Sequence, residues 1–191
     1  EVPEASVGAG TVINRAQAEE AAGAGASFIV SPGFDVNLAK WCIANGIPAV
    51  PGCVTPTEIT QALDLGIQVL KFFPANVYGG LSAIKALAGP FGTVRFIPTG
   101  GIGPDNVGEY SASPYVHAVG GSWICPKEDI TGGNTGHITA LSRAAIEKIH
   151  GFEFAHLGIN TPDTEEARNT ADGFGRAFLF SAQEGQSSIF A

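Results

Sequence analysis

Lys71 is the residue whose type and setting most directly allow chemistry. It stands in the apolar run Val69-Leu70-Lys71-Phe72-Phe73-Pro74, where an ammonium would be stripped of water. Desolvation lowers a lysine pKa, by up to about 3–5 units for a fully buried group, and the neutral amine is the nucleophile that forms Schiff bases with carbonyl compounds. Residue type alone leaves a second outcome open, in which Lys71 ends its strand and its apolar stem carries the charge to solvent. Two glycine pairs offer a complementary chemistry. Pro98-Thr99-Gly100-Gly101-Ile102 and Gly120-Gly121-Ser122-Trp123 can close backbone N–H groups around an anion, because glycine has no Cβ to hold the chain away, and a helix that follows adds a favourable dipole. A tight turn needing positive φ would call for the same glycines in the first segment. A second pair at the end of the next strand favours the anion.

The other reactive types are less ordered. His117, His137, His150 and His156 show no metal-ligand spacing and read as structural or solvated, so no metal is assigned. Cys42, Cys53 and Cys125 are odd in number and far apart, which points to a reducing, cytoplasmic setting. Cys53 and Cys125 read as small buried hydrophobes. Glu58 opens a helix and complements its dipole, and Glu19, Glu20, Glu165 and Glu166 read as solvated faces. Trp123 is expected to fill space behind the second glycine pair.

These residues need a frame, and the chain supplies a regular one. Short apolar, β-rich runs lie around Val7 and at 26–31, 47–51, 68–73, 93–99 and 116–120, with centres 20 to 26 residues apart. Helix-compatible stretches fall between and after them, at 16–24, 36–45, 57–65, 81–88, 104–110 and 134–149. Strands apolar on both faces, alternating with helices, imply βα units and a parallel sheet. An open doubly wound sheet should carry a Gly-rich turn at its first βα junction. Gly8-Ala9-Gly10 is an incomplete version, whereas the glycines concentrate after the last two strands, where a (β/α)8 barrel keeps its phosphate site. The barrel is therefore favoured. If those strands are the seventh and eighth, the Val7 strand is the third. That numbering, a start at Glu1 and the lack of any Met predict that two βα units precede the chain.

Composition narrows the partners. The chain has 191 residues, 45% of them hydrophobic and 15% charged, with a net charge of −8. That composition supplies a core and argues against disorder. The acidity argues against nucleic acid and anionic membranes as partners. No apolar run approaches the roughly 20 residues of a membrane span. Past Gly151 the pattern changes, with a strand expected at 152–160 and a helix at 163–178, giving a division into 1–150 and 151–191.

Six segments occur in one order: Val7-Gly8-Ala9-Gly10-Thr11-Val12, Phe28-Ile29-Val30-Ser31-Pro32-Gly33, Pro51-Gly52-Cys53-Val54-Thr55-Pro56-Thr57-Glu58, Leu70-Lys71-Phe72-Phe73-Pro74-Ala75, PTGGI and GGSW. Together they closely resemble the 2-keto-3-deoxy-6-phosphogluconate (KDPG) aldolase family, whose members often also cleave 4-hydroxy-2-oxoglutarate (KHG), over residues 2–149. The resemblance implies a metal-free and cofactor-free class I aldolase on a (β/α)8 barrel, usually a homotrimer, here an incomplete barrel with about six of its eight βα units. It places the Schiff-base lysine on Lys71 and the keto-acid pocket on Thr11, Pro32, Phe73 and Thr99. Phosphate binding falls on Gly100, Gly101, Gly120, Gly121 and Ser122. A glutamate and an arginine that normally precede VGAGTV in the family have no counterpart, since Glu1, Glu4 and Arg15 are in the wrong places. Separately, Ala155-His156-Leu157-Gly158-Ile159 is similar to the first strand of the vicinal-oxygen-chelate (glyoxalase-like) fold, where the histidine can bind metal, which makes 151–191 the expected opening of a second domain. The implied reaction cleaves a 2-keto-3-deoxy sugar acid phosphate to pyruvate and glyceraldehyde 3-phosphate, or 4-hydroxy-2-oxoglutarate to pyruvate and glyoxylate. A catalytically silent phosphate-binding barrel is the alternative, as is a different phosphate-binding barrel enzyme, against which the LKFFPA lysine argues.

Overall fold

A computed structural model describes residues 5–150 and, beyond them, Glu165, Arg168, Asn169 and Asp172. The chain divides into two units, Glu1–Gly151 and Phe152–Ala191. The strand and helix expected beyond Gly151, His156 and the glyoxalase-like segment lie outside the described residues, apart from the four positions named.

In the first unit strands and helices alternate: α1 (Arg15–Gly23), β1 (Ile29–Val30), α2 (Val36–Ala44), β2 (Ala49–Val50), α3 (Pro56–Asp64), β3 (Val69–Phe72), α4 (Gly80–Ala88), β4 (Arg95–Pro98) and α5 (Val107–Ser111). A single 3-10 turn (Ser122–Ile124), α6 (Lys127–Gly132) and α7 (Thr135–His150) follow. The helices start where local chemistry demands. Asn14 and Asp35 cap α1 and α2 through their side chains, and Thr55 with Glu58 forms a reciprocal capping box ahead of Pro56. Such caps satisfy N–H groups that the helix itself cannot.

The strands form one parallel succession. β1 pairs with β2 and β3 with β4, while single bridges add Ala9 to Ile29, Gly52 to Lys71 and Val116 to Phe96. The six segments thus neighbour one another in chain order, with no reversal of the kind that defines a doubly wound sheet. Their helices also share one side. Leu70, Phe72 and Phe96 are fully buried in one cluster with Ile59 and Ala62 of α3, Ile84 and Ala88 of α4, and Val107 and Tyr110 of α5. Ile29 packs likewise with Ala18, Leu38 and Cys42 of α1 and α2. Sequential parallel strands with helices on a single face are the winding of a barrel rather than of an open sheet.

Three details depart from the sequence reading. The first and last expected strands shrink to the bridges at Ala9 and Val116, and Val7, taken as a strand centre, is 68% exposed. Among the described residues the first segment is hydrogen-bonded along one side only, to residues 27–30. Cys125, expected to be buried, is exposed: it closes the 3-10 turn as its C-cap, just before Pro126. Helix α6 was not anticipated, although Pro126 before it, Glu128 and Asp129 in its first turn and Gly133 in the left-handed region after it are ordinary start and stop signals.

The shared core predicts a contrast. Phe96→Ala should cost about 3–5 kcal/mol in urea unfolding, as large-to-small core changes do, whereas Ile43→Ala on the 47% exposed face of α2 should stay within about 0.5 kcal/mol.

Candidate active site

Alternation along β3 sets the site. Leu70 and Phe72 enter the core beneath the helices, so Val69 and Lys71 leave from the opposite face. The Lys71 main chain is fixed on both sides. Its N–H donates to the Pro51 carbonyl at 2.9 Å, its own carbonyl accepts from the Cys53 N–H at 2.9 Å, and it lies opposite Ile97 of β4. The side chain is half-buried, with Nζ 4.3 Å from the centroid of the Phe73 ring. Burial pushes the amine below its ordinary 10.5. The ring face favours a cation and opposes that shift, but such a contact is weak, about 0.5–1 kcal/mol at exposed sites, and desolvation prevails. Among the described residues no carboxylate forms an ion pair with Lys71 to restore its charge.

Phe73 joins this amine to the first glycine turn. Gly100 and Gly101 follow β4 with φ of 84° and 79°, and a Cβ at Gly100 would lie 3.1 Å from Pro74 and 3.3 Å from the Phe73 ring. The turn is secured from two sides, since the Gly100 carbonyl accepts from the Asn76 N–H at 3.1 Å and the Gly101 carbonyl from Asn106 Nδ2 at 2.9 Å. Asn106 also accepts from the Gly103 N–H at 2.9 Å. Thr99, between β4 and the turn, donates its N–H to Phe72 and accepts from Ala75. Its hydroxyl, by contrast, is buried without a partner among the described residues. An unmet buried hydroxyl typically costs about 1–3 kcal/mol. Gly120 comes in from the neighbouring segment, where a Cβ would sit 2.6 Å from Thr99 Cγ2. The Trp123 ring lies against Gly121 and joins the core cluster, and Ser122 is exposed at the start of the 3-10 turn. The N–H groups of Gly100, Gly101, Gly121 and Ser122 donate to no other described residue.

Lys71, Phe73, Thr99, Gly100 and Gly120 are therefore contiguous. Pro32 reaches the same region indirectly: it is half-buried, and its carbonyl packs so closely on Gly52, the bridge partner of Lys71, that a Cβ there would collide with it. Thr11 is exposed at the same end of the first segment, and no contact ties it to Lys71 among the described residues. Cys53 is inert. Burial, with the nearby Glu58 charge added, pushes its thiol up to about 12. Glu58 itself is used in the cap, accepting from the Val54 and Thr55 N–H groups at 3.0 and 2.9 Å. His137 pairs with Asp129 at 2.6 Å, away from this cluster on α6 and α7. Among the described residues no three His, Cys, Asp or Glu side chains gather into a metal set. Two contributors were missed from sequence, Asn76 and Asn106. Only the latter had a signal, as an Asn three residues after a glycine in a Gly-Pro-rich turn.

The chemistry thus collects at the C-terminal ends of sequential parallel strands, where barrel enzymes keep their active sites. The KDPG and KHG aldolase family model matches residues 1–141. A 2-dehydro-3-deoxy-phosphogluconate aldolase of Treponema pallidum is 48% identical over 141 residues, covering 74% of this chain and 67% of that protein. Among solved structures, the Zymomonas mobilis 2-keto-3-deoxy-6-phosphogluconate aldolase with 3-phosphoglycerate matches at a TM-score of 0.70 and 43% identity, covering 76% of this chain and 68% of its own. A Legionella pneumophila KDPG aldolase, with pyruvate captured as a covalent carbinolamine, matches at 0.70 and 42%, covering 73% and 68%. This chain belongs to the KDPG and KHG aldolase family, and spans about two-thirds of the length of those relatives.

The unpaired hydroxyl gives a test. Thr99→Val keeps the methyl packed against Gly120 and removes the unmet polar atom, so the free protein should gain about 1 kcal/mol in urea unfolding. A loss of that size would mean that the hydroxyl has a partner.

Proposed function

We propose that the protein is a class I aldolase that cleaves 2-dehydro-3-deoxy-6-phosphogluconate to pyruvate and glyceraldehyde 3-phosphate, and 4-hydroxy-2-oxoglutarate to pyruvate and glyoxylate. The observation that carries this reading is the desolvated Lys71 amine, without an ion-pair partner among the described residues, beside a turn of free N–H donors. In this proposal Lys71 Nζ attacks the C2 carbonyl, and the carbinolamine loses water to give an iminium. The C3–C4 bond then breaks as its electron pair moves into the iminium, while the C4 hydroxyl gives up its proton and becomes the aldehyde. Protonation of the resulting enamine at C3 and hydrolysis release pyruvate and the free amine. Thr11, Pro32, Phe73 and Thr99 line the keto-acid pocket, and Gly100, Gly101, Gly120, Gly121 and Ser122 hold the phosphate. The six parallel segments of a domain of residues 1–150 belong to a barrel of the (β/α)8 kind, about six of its eight βα units, which assembles as a homotrimer. The proton-transferring base is not assigned to any described carboxylate. Glu58 has its carboxylate committed to the α3 cap.

Borohydride reduction in the presence of pyruvate tests the reading. The adduct should map to the peptide carrying Lys71 and vanish in Lys71→Arg, whose guanidinium cannot form the imine. A folded sample with no adduct at Lys71 would overturn the enzyme reading and leave the silent phosphate-binding barrel.

A further inference from the structure

Asn76 lies in the loop between β3 and α4. Its N–H bonds to the Gly100 carbonyl at 3.1 Å, just after the Ala75 N–H bonds to the Thr99 carbonyl at 2.8 Å, so this stretch runs alongside the turn that follows β4. The side chain covers Gly101: a Cβ built there would lie 2.5 Å from Cβ and Cγ of Asn76 and 2.9 Å from its Nδ2. Unlike Asn106, whose carboxamide is occupied on both sides by the same turn, the Asn76 carboxamide makes no hydrogen bond with another described residue and is exposed. An exposed amide held by its own main chain, beside two N–H groups that also lack a partner among the described residues, is a donor positioned for something outside the protein.

We propose that Asn76 is a further ligand of the anion at the Gly100–Gly101 turn, and the side chain that sets the preference for phosphorylated over unphosphorylated 2-keto acids. The inference rests on reading the glycine turns as the phosphate site. Nδ2 donates to a phosphate monoester dianion together with the main-chain N–H groups of Gly100 and Gly101. A neutral donor suits this place. The chain carries a net charge of −8, so the general field repels a dianion and its capture depends on local donors. A carboxylate of the same shape would accept hydrogen bonds only and add like charge. Gly101 is the poorer position to probe, because any side chain there meets both a positive φ and the Asn76 side chain.

Asn76→Ala removes the donor, and Asn76→Asp keeps the shape while reversing the electrostatics. Phosphate affinity would be measured by phosphorus NMR titration with inorganic phosphate at mildly alkaline pH, and compared with the rate of borohydride-trapped pyruvate adduct at Lys71 in the same proteins. Asn76→Ala should weaken phosphate about tenfold relative to pyruvate trapping, the usual scale for a hydrogen bond to a charged group. Asn76→Asp should weaken it further. If phosphate binds the unsubstituted protein and both variants match it, or if phosphate and pyruvate suffer equally, Asn76 only fills space over Gly101 and the assignment is wrong. If the unsubstituted protein traps pyruvate but binds no phosphate, the anion reading of the turns fails, and this proposal with it.

Discussion

A β-strand sends successive side chains to opposite faces, so the register of Val69–Phe72 decides where the Lys71 amine stands. The bridge to Gly52 and the pairing with Ile97 hold that register from both sides, and the burial of Leu70 and Phe72 under α3, α4 and α5 makes any slip costly. A slip by one residue would bury a lysine in the core and expose a phenylalanine. The same constraint desolvates the amine partly, on a face where no described carboxylate pairs with it. Core packing and the properties of the Lys71 amine are therefore one structural fact.

Close backbone approach does the rest. Gly52 lets the Pro32 carbonyl come against the neighbour of Lys71, and Gly120 lets its segment press on Thr99. Gly100 and Gly101 turn the chain back over Pro74 and Asn76 in a conformation that residues with a Cβ rarely adopt. The two readings of PTGGI, tight turn and anion cradle, do not compete in this geometry. The positive φ values make the turn, and the turn leaves N–H groups without partners among the described residues. Phe73 spans the parts, touching the amine on one side and abutting Gly100 on the other.

Much of this was legible in the sequence. The strand–helix alternation gave β3, β4 and the main helices to within a few residues, since apolar runs with flanking caps such as Asn14, Asp35 and Thr55-Pro56 carry both period and boundary. The lysine stood out because charge within an apolar run is rare. The outer segments were overestimated because an apolar pattern marks a strand's potential for pairing, while its length depends on the hydrogen-bonding neighbours it has, as Val7 and Val116 illustrate. Cys125 was misplaced because a one-turn helix before a proline leaves little trace in residue type. The Asn76 carboxamide over Gly101 and the unmet Thr99 hydroxyl are tertiary facts, which no local pattern encodes.

The central claim is that burial, without a compensating carboxylate, holds Lys71 as a more readily neutral amine than an ordinary lysine. Protonation of an amine falls as pH rises through its pKa, so a depressed pKa brings the neutral form in at lower pH. The direct measurement is the titration of the Lys71 ε-carbon by NMR in protein carrying labelled lysine, with Lys71→Arg to assign the signal. The account predicts a midpoint for Lys71 below the ordinary lysine value of 10.5. A midpoint at or above 10.5 would contradict it.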